Sequence, residues 1–239
     1  MKNNPTFSRV LIKFSGEALL GHRQYGTDPE ILDFIAGEIK EVAGLGVEIG
    51  IIVGGGNIFR GSVAEKAGMD RVMGDYAGML AGVINGLMLE SELNRKGVAV
   101  RLMSSIQMPQ IAEAYIYKRA LRHFAKKRVI IFAGGTGNPY FTHDSAASLK
   151  AAELKCDLLI KAARVDGIYN KDPEKHTDAV KFDTVTYQEA LEKRLQVMDS
   201  TAFAMCMDAA IPIVVYNLYN KGDFKRIVMG EKIGTRVGF

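Results

Sequence analysis

The sequence has few cysteines and no pattern that would join them. Only Cys156 and Cys206 occur among 239 residues, far apart and without a Cys-x-x-Cys motif or a nearby pair of histidines. This count excludes a disulfide framework and argues against a zinc site. We expect both thiols to be buried as small hydrophobic side chains, in keeping with a reducing compartment.

Long apolar runs are also missing. Residues 1–9 lack the apolar core of a signal peptide. The longest apolar stretch, residues 77–89, is interrupted by Gly82, Asn85 and Gly86, so it is too short and too broken to span a bilayer. No Pro/Ser-rich linker, repeat or low-complexity tract divides the chain, which predicts a single domain over residues 1–239.

Neither sign of charge is in large excess. Lys and Arg number 31 and Asp and Glu 27, giving a net charge of +4. This excess suits polyphosphate ligands but is too small to indicate nucleic-acid binding. One cluster of basic residues is interpreted as a solvated helix end; it comprises Arg119, Arg122, His123, Lys126, Lys127 and Arg128.

Apolar strands and amphipathic helices alternate along the chain. We predict strands at residues 10–14, 47–53, 98–103, 128–132, 157–161, 211–216, 226–229 and 235–237. One helix is predicted to start at Asp28-Pro29 and to end at Gly44 and Gly46. Further helices are predicted at residues 69–95, 111–124 and 145–154. This alternation predicts an α/β fold, a three-layer sandwich whose mostly parallel central sheet carries helices on both faces.

The predicted helix 69–95 is rich in small residues, among them Ala77, Gly78, Ala81, Gly82 and Gly86. Such a helix can approach a neighbour closely. The neighbour is either another subunit or another part of the same domain, and the sequence leaves both open.

Three glycine-rich turns follow predicted strands. They begin at Lys13 (KFSGE), Gly54 (GGGNIFRG) and Gly134 (GGTGNPYFTHD). Ligands of open α/β sheets bind at the carboxyl ends of strands, and glycine lets backbone N–H groups approach phosphate oxygens. Three such turns in one chain indicate phosphate binding.

Charged residues accompany these turns. Lys13 ends an apolar strand, where a buried cation is costly unless it meets an anion, and Arg60 has the planar fork that suits phosphate. Asp144 suits the role of a magnesium-holding carboxylate, or it caps the helix that follows. Lys161 is either a second cation of the site or a strand-end lysine that reaches solvent. Phosphoryl transfer needs these groups: cations, a carboxylate and backbone donors.

Common nucleotide and catalytic motifs are absent. The sequence has no P-loop, no dinucleotide-binding spacing, no nucleophile elbow and no protein-kinase catalytic loop. The phosphates would therefore be held outside these common motifs.

Taken together, the motifs resemble the bacterial and archaeal UMP kinases of the amino-acid-kinase superfamily, nearly end to end. The shared segments begin at Lys13 (KFSGEAL), Gly54 (GGGNIFRG), Met73 (MGD), Gly135 (GTGNPYFT), Lys161 (KAARVDG), Asp172 (DP) and Val197 (VMD). The loop of residues 21–26 resembles the bacterial branch.

The resemblance implies a role for each matching residue. The residues implied for catalysis are Lys13, Arg60, Asp144 and Lys161, with Asp144 organising Mg²⁺. Those implied for ATP binding are Lys13, Phe14, Ser15, Gly16, Gly56, Arg60, Ala163, Tyr169 and Asp172. Those implied for UMP binding are Gly55, Asp75, Thr136, Gly137, Asn138, Pro139, Tyr140, Phe141, Thr142 and His143. Asp199 would support the site or serve as a helix N-cap.

The resemblance also implies a setting for the reaction. It implies a cytoplasmic homohexamer in pyrimidine nucleotide synthesis, with GTP as an activator and UTP as an inhibitor, and with neither nucleic acid nor membrane as a partner.

Three positions depart from the family pattern. Phe14 stands for a usual leucine, which we expect to affect packing only. His143 stands for a usual threonine, so any contact of that hydroxyl with UMP is replaced or lost. Ala163 and Arg164 stand for a threonine–lysine pair, which leaves the adenine contact there to the backbone.

Three functional hypotheses are compatible with the residues. The first is a UMP kinase. The second is a kinase of the same fold with another acceptor, such as an acyl phosphate or isopentenyl phosphate. The third is a nucleotide-binding storage or regulatory subunit without turnover, since fold alone does not prove catalysis.

Overall fold

The computed structural model describes residues 4–61, 68–193, 195 and 198–238. Val197, which opens one of the family motifs, lies outside them. The strands are β1 (Arg9–Phe14), β2 (Glu48–Val53), β3 (Val100–Ser104), β4 (Glu113–Ala114), β5 (Val129–Ala133), β6 (Leu158–Ala163), β7 (Ile168–Tyr169), β8 (Lys181–Phe182), β9 (Thr184–Thr186), β10 (Ile213–Asn217) and β11 (Thr235–Gly238). The helices are α1 (Pro29–Ala43), α2 (Arg71–Arg95), α3 (Tyr117–Ala125), α4 (His143–Glu153), α5 (Tyr187–Glu192), α6 (Ser200–Asp208) and α7 (Asp223–Val228), and a short 3₁₀ helix (Gly16–Leu19) follows β1.

Nine strands form one sheet in the order β4-β3-β5-β2-β1-β6-β10-β11-β9. Every neighbouring pair in it is parallel except β10 with β11. Strands β7 and β8 form a separate antiparallel pair. The prediction of a mostly parallel central sheet is confirmed.

Two apolar cores cover the two faces of the sheet. In β1, Val10, Ile12 and Phe14 face a core shared with α1, α2 and α7, whereas Leu11 faces a core shared with α3, α4, α5 and α6. Alternate residues of a strand point to opposite faces, so a strand buried on both sides is apolar throughout. The three-layer α/β architecture is confirmed.

Helix α1 begins and ends as its sequence predicts. The Asp28 carboxylate accepts a hydrogen bond from the backbone N–H of Glu30, Pro29 takes the first helical position, and Gly44 caps the end. The N-terminal proline needs no backbone donor there.

Two predicted elements are wrong. The helix predicted at 111–124 begins only at Tyr117, because Glu113 and Ala114 pair with β3 as an edge strand and Ile111 and Ile116 are exposed. The strand predicted at 226–229 is instead the end of α7, whose buried Phe224 and Ile227 follow helical spacing. Four short strands (β4, β7, β8 and β9) and the helices α5 and α6 were not predicted.

Both cysteines are buried, as predicted. Burial raises the pKa of the Cys156 thiol to about 12 and that of Cys206 to about 11. The basic cluster is only partly a solvated helix end, because His123 is buried and lies 3.0 Å from Glu113 and 3.1 Å from Arg128.

Helix α2 is the one described helix that is long and apolar enough to cross a membrane by length and composition alone. This helix has 25 residues and is longer than the apolar stretch of residues 77–89, which was predicted from the sequence to be too short to span a bilayer. One face of α2 packs against α1, β2, β3 and β5, as a helix of a folded core does.

The small residues of α2 serve packing within the domain. A Cβ on Gly86 would lie 2.9 Å from Leu102, and a Cβ on Gly55 of the second glycine-rich turn would lie 2.7 Å from the Ala81 side chain. Close approach here is between α2 and the sheet with its turns. The opposite face of α2 exposes large apolar side chains at helical spacing, which are Met73, Tyr76, Leu80, Ile84, Leu87 and Met88.

Candidate active site

The ends of four neighbouring parallel strands form the edge where the glycine-rich turns meet. Strands β5, β2, β1 and β6 lie side by side in that order. Phe14 pairs with Val53 on one side and with Ala162 on the other. The three turns that follow β1, β2 and β5 are thereby brought together at one edge, beside the end of β6.

Lys13, which is buried, and Asp144 and Lys161, which are largely but not fully buried, form a group at this edge, called the charged cluster below. Lys13 Nζ lies 2.8 Å from Oδ1 of Asp144, and Lys161 Nζ lies 2.9 Å from its Oδ2. The two lysines are in register on adjacent strands, so they would repel each other without the carboxylate between them. The cluster carries one positive charge in excess, which favours an anionic ligand.

The titration of the cluster reflects both burial and charge. Burial disfavours the ionised form of Asp144, but Lys13 and Lys161 together outweigh it and lower the pKa of the carboxyl to about 2. Burial, joined by the charge of Lys13, lowers the pKa of Lys161. Asp144 is therefore ionised at neutral pH.

The alternative interpretations of two cluster residues are wrong. Thr142, not Asp144, caps α4, since its hydroxyl accepts hydrogen bonds from the backbone N–H groups of Asp144 and Ser145. Lys161 does not reach solvent, because its side chain is only 14% exposed.

Asp199 combines the two roles that its position suggested. It caps α6 by accepting a hydrogen bond from the Ala202 N–H at 2.7 Å. Its carboxylate also accepts hydrogen bonds from the hydroxyls of Thr142 and Ser145. It therefore ties the start of α6 to the start of α4, which carries Asp144.

The first glycine-rich turn lies against the second. A Cβ on Gly16 would stand 2.4 Å from the Gly56 nitrogen, so only glycine allows this approach. The Phe14 side chain lies in the core, as expected for packing, and its carbonyl accepts a hydrogen bond from the Gly54 N–H. Ser15 caps the 3₁₀ helix by accepting from the Ala18 N–H.

A first cavity of about 530 Å³ opens on one side of the edge. Tyr169 and Asp172, both predicted for the nucleotide donor, line it together with Arg164. The Tyr169 hydroxyl donates to Asp166, and Asp172 pairs with Lys175 at 3.0 Å. The full lining comprises Glu17, Arg164, Val165, Gly167, Tyr169, Asn170, Lys171, Asp172, Pro173, Glu174, Lys193 and Leu195.

Ala163 lies at the end of β6 and is not part of this lining. Its carbonyl accepts a hydrogen bond from the Leu218 N–H at 2.9 Å. One backbone group of this position is thus already engaged within the protein.

A second cavity of about 360 Å³ opens on the other side. Half of the ten residues predicted for the acceptor line this cavity, namely Gly55, Asp75, Phe141, Thr142 and His143. The lining comprises Glu17, Gly55, Gly56, Phe59, Arg60, Gly61, Arg71, Gly74, Asp75, Gly78, Met79, Phe141, Thr142 and His143.

Asp75 stands at the wall of the second cavity, in the first turns of α2. Its carboxylate accepts a hydrogen bond from the Tyr140 N–H at 2.7 Å and one from Arg71 Nε at 2.9 Å. Tyr140 has a φ of 70°, and its ring is stacked under Arg71. Asp75 therefore links α2 to the third glycine-rich turn.

Five predicted residues do not line the second cavity, namely Tyr140 and four residues that precede it. Thr136, Gly137, Asn138 and Pro139 form the tip of the third turn, where the Thr136 hydroxyl accepts from the Asn138 N–H at 3.2 Å. Gly134, Gly135 and Gly137 all have positive φ, which a glycine-rich sequence permits. The hydrogen bonds of Thr136 and Asn138 at the tip are thus made within the turn itself.

His143, where the resemblance led us to expect threonine, is the first residue of α4. Burial, assisted by the charge of Lys13, lowers its pKa to about 4, so the ring is neutral at physiological pH. Its Nε2 is shielded from solvent, has no hydrogen-bond partner among the described residues, and faces Gly82 of α2. A Cβ on Gly82 would stand only 3.0 Å from this nitrogen.

Sequence reasoning missed Glu17. It lines both cavities and pairs with Arg60 at 3.1 Å, and both side chains are about half exposed. Its place directly after Gly16 was the available signal, but a carboxylate beside a phosphate site contradicts simple charge matching.

The cluster offers one carboxylate to a metal ion. Among the described residues, no group of three or more His, Cys, Asp or Glu side chains could hold a metal by itself. A single carboxylate fits Mg²⁺, which is held by one or two carboxylates together with substrate phosphates.

Comparison with known proteins identifies a family and several similar structures. The sequence model of the amino acid kinase family matches residues 8–217. The UMP kinase from Bacillus anthracis has 38% sequence identity and a TM-score of 0.94, covering 97% of this chain and 96% of its own. The UMP kinase from Ureaplasma parvum has 34% identity and a TM-score of 0.88, covering 97% and 98%. The uridylate kinase from Archaeoglobus fulgidus has 25% identity and a TM-score of 0.74, covering 96% and 99%.

Proposed function

Because this chain belongs to the amino acid kinase family, we propose that it transfers the γ-phosphoryl group of ATP to UMP, giving UDP in pyrimidine nucleotide synthesis. The similar UMP kinases of Bacillus anthracis and Ureaplasma parvum support this acceptor over others of the family.

One arrangement carries the proposal: a cationic cluster at the strand ends, with one cavity beyond the end of β6 and another beside the second glycine-rich turn. Lys13 and Lys161 flank one carboxylate, while the cavities open on the sides of Tyr169 and of Asp75. Phosphoryl transfer is mainly positioning and charge neutralisation. Two nucleotides whose phosphates meet at the cluster would be placed for that transfer.

The donor is proposed to bind in the first cavity. Tyr169, Asp172 and Ala163 would hold the adenosine, and Lys13, Phe14, Ser15, Gly16, Gly56 and Arg60 its phosphates. The acceptor is proposed to bind in the second cavity, with Asp75 accepting hydrogen bonds from the ribose hydroxyls. Gly55, Phe141, Thr142 and His143 would surround it.

The remaining acceptor residues would act from the third glycine-rich turn. Thr136, Gly137, Asn138 and Pro139 lie outside the second cavity, so their contact with UMP requires the turn to shift on binding. Tyr140 would move with them only if the hydrogen bond from its N–H to Asp75 were broken.

Mg²⁺ is the proposed cofactor, held by Asp144 together with the nucleotide phosphates. When bound, it would neutralise charge on the transferred phosphoryl group. Lys13 and Lys161 would hold the same phosphates from the protein side, with Arg60 reaching in from the second turn.

The biological setting belongs to the same proposal. We expect residues 1–239 to act as one catalytic domain in the cytoplasm, assembled as a homohexamer. The exposed apolar face of α2 supports association of subunits. GTP is the expected activator and UTP the expected inhibitor, which titration of each into the assay will decide.

The function is tested by measuring ADP release from ATP·Mg²⁺ with UMP, CMP, dUMP, AMP, carbamate and isopentenyl phosphate. Strong turnover with UMP and little with the others is expected. Turnover with a non-nucleotide would keep the donor site and overturn the acceptor. No turnover in protein that binds ATP would favour a storage or regulatory subunit.

Substituting Asp75→Asn tests the acceptor site by itself. We expect the KM for UMP to rise about tenfold or more, the effect of a lost charge-assisted hydrogen bond, with little change in the KM for ATP. Tyr169→Phe is the matched variant in the first cavity. An equal rise of both KM values in Asp75→Asn would contradict the assignment.

A further inference from the structure

A buried, uncharged hydrogen-bond network lies behind the second glycine-rich turn. It consists of Thr27, Asn57 and Asn85, called the amide network below. Their exposed fractions are 6%, 3% and 0%. The three residues come from the end of the loop 21–26, from the turn itself and from the middle of α2.

Asn85 holds the turn by two hydrogen bonds. Its Nδ2 donates to the carbonyl of Gly54 at 2.7 Å and to Oδ1 of Asn57 at 2.7 Å. Its Oδ1 accepts from the Thr27 hydroxyl at 2.9 Å. The Asn85 side chain of α2 therefore forms hydrogen bonds with both other members of the network as well as with the backbone of the turn.

Asn57 joins the turn to the loop. Its Nδ2 lies 2.9 Å from the Gly26 carbonyl and 2.9 Å from Thr27 Oγ1. Its own backbone carbonyl accepts from the Gly26 N–H at 3.0 Å. The end of the loop is thus fixed to the turn through both main chain and side chain.

The turn held in this way has almost no room to move. A Cβ on Gly55 would stand 2.5 Å from the Gly78 carbonyl of α2, and one on Gly16 would stand 2.8 Å from Oδ1 of Asn57. The backbone of the turn is therefore enclosed by α2 on one side and by the first turn on the other. Gly55 and Gly56 then open onto the second cavity.

Every side-chain polar atom of the network has a partner within it or on the backbone. Buried amides without partners are costly, whereas a satisfied network selects one arrangement of the groups that it joins. Apolar side chains of similar volume could fill this space but would not fix the carbonyl of Gly54. The network is therefore suited to setting the orientation of the turn.

We propose that Asn85, acting through Asn57 and Thr27, is a positioning residue that holds the Gly54–Gly56 turn in the orientation in which Gly55 contacts the acceptor nucleotide in the second cavity. This inference rests on the proposed function, because the second cavity is taken as the acceptor site. The residue touches no substrate and works through the turn.

Two substitutions of Thr27 separate hydrogen bonding from packing. Thr27→Val keeps the shape and removes the hydroxyl, whereas Thr27→Ser keeps the hydroxyl and removes a methyl group. Thr27→Val is expected to lower kcat/KM for UMP about tenfold, as misplacement of a binding group does, with the KM for ATP unchanged within about twofold. Thr27→Ser is expected to retain nearly full activity. The reverse order of the two variants would overturn the proposal.

Asn85→Ala provides the larger effect, with Tyr187→Phe as its control. Tyr187 donates a buried hydrogen bond to the Ile211 carbonyl, before the start of β10 and away from the strand ends of the site. Both variants are expected to lower the melting temperature, but only Asn85→Ala should lower kcat/KM for UMP per folded molecule, by about a hundredfold. Equal kcat/KM in the two variants would overturn the positioning role.

Amide hydrogen exchange separates this inference from the proposed function. Thr27→Val should speed exchange at residues 54–57 without affecting β10, in the absence of any substrate. If the wild-type protein did not phosphorylate UMP, the proposed function would fail, yet the exchange at the turn would still decide on the network. Unchanged exchange there would overturn the network as a positioning device.

Discussion

The charged cluster and the amide network lie at the same edge of the sheet and have little exposed surface, but the polar groups of the two are satisfied in opposite ways. In the charged cluster, Lys13 and Lys161 share one carboxylate and leave a positive charge in excess. In the amide network, neutral groups satisfy one another, with Asn85 fully buried at its centre.

The difference shows how a site can be both reactive and rigid. Charge held away from water is unfavourable until a ligand of opposite sign arrives, so we expect phosphate to complete the charged cluster. A neutral network gains nothing from the ligand and can be complete beforehand. In the proposed function, the charged cluster therefore carries the chemistry and the amide network the positioning.

Removal of Lys13 should have the largest effect. Lys13→Ala takes a buried cation from the transferred phosphate, so kcat is expected to fall about a thousandfold, comparable with the loss of a main transition-state donor. Steady-state assays with saturating ATP and UMP measure this loss.

Lys126→Ala serves as the control for Lys13→Ala, because Lys126 is an exposed lysine of the α3 end. It should keep wild-type kcat. Activity of Lys13→Ala within about tenfold of wild type, outside the range expected for such a donor, would show that the charged cluster is not the reacting centre.

Acid should destabilise the protein through His143, which lies beside the charged cluster, but not through the amide network, which has no titrating group. His143 has a pKa of about 4 in the folded protein, against an ordinary value of 6.5. Below pH 6.5 the unfolded chain binds a proton that the folded chain refuses, so stability is lost as the pH falls toward 4. Between pH 7 and pH 5 this residue should contribute a loss of about 2 kcal/mol.

Urea unfolding of two variants at pH 7 and pH 5 measures this contribution. His143→Thr should remove that part of the pH dependence, whereas Thr27→Val should lower stability equally at both pH values. A wild-type pH dependence that persists in His143→Thr would show that the proton is taken up elsewhere.

The smallest expected effect comes from Glu17, which belongs to neither group. Glu17→Gln removes a half-exposed negative charge from the edge of both cavities. The KM for ATP and the KM for UMP should each fall about twofold, the scale of an exposed ion pair. The effect should disappear in high salt, and a rise of either KM would show that the Glu17–Arg60 pair assists binding.

The residues of the charged cluster could be picked out from the sequence more readily than those of the amide network. Lys13 was conspicuous because a cation ended an apolar strand, and three glycine-rich turns after strands placed the edge. Thr27 and Asn57 gave no comparable signal, since polar residues in loops are ordinary. Asn85 was noted only as an interruption of an apolar stretch, because its partners are distant in sequence.

Local pattern also misled where elements are short. Residues 226–229 are apolar enough to suggest a strand, but Phe224 and Ile227 belong to one turn and a half of helix. A window of four residues cannot distinguish the two periods. In the site, neither the pairing of Glu17 with Arg60 nor the self-closed tip at Thr136 could be predicted, because both depend on how turns meet.

The register of Lys13 with Lys161 has a consequence for synthesis of the chain. The two lysines stand side by side on β1 and β6, yet the four strands β2 to β5 are translated between them. Pairings between distant segments form slowly, and domains fold as their chain emerges. A chain still on the ribosome therefore has no charged cluster until β6 has joined β1, so we expect phosphate binding to begin only after most of the chain has been made.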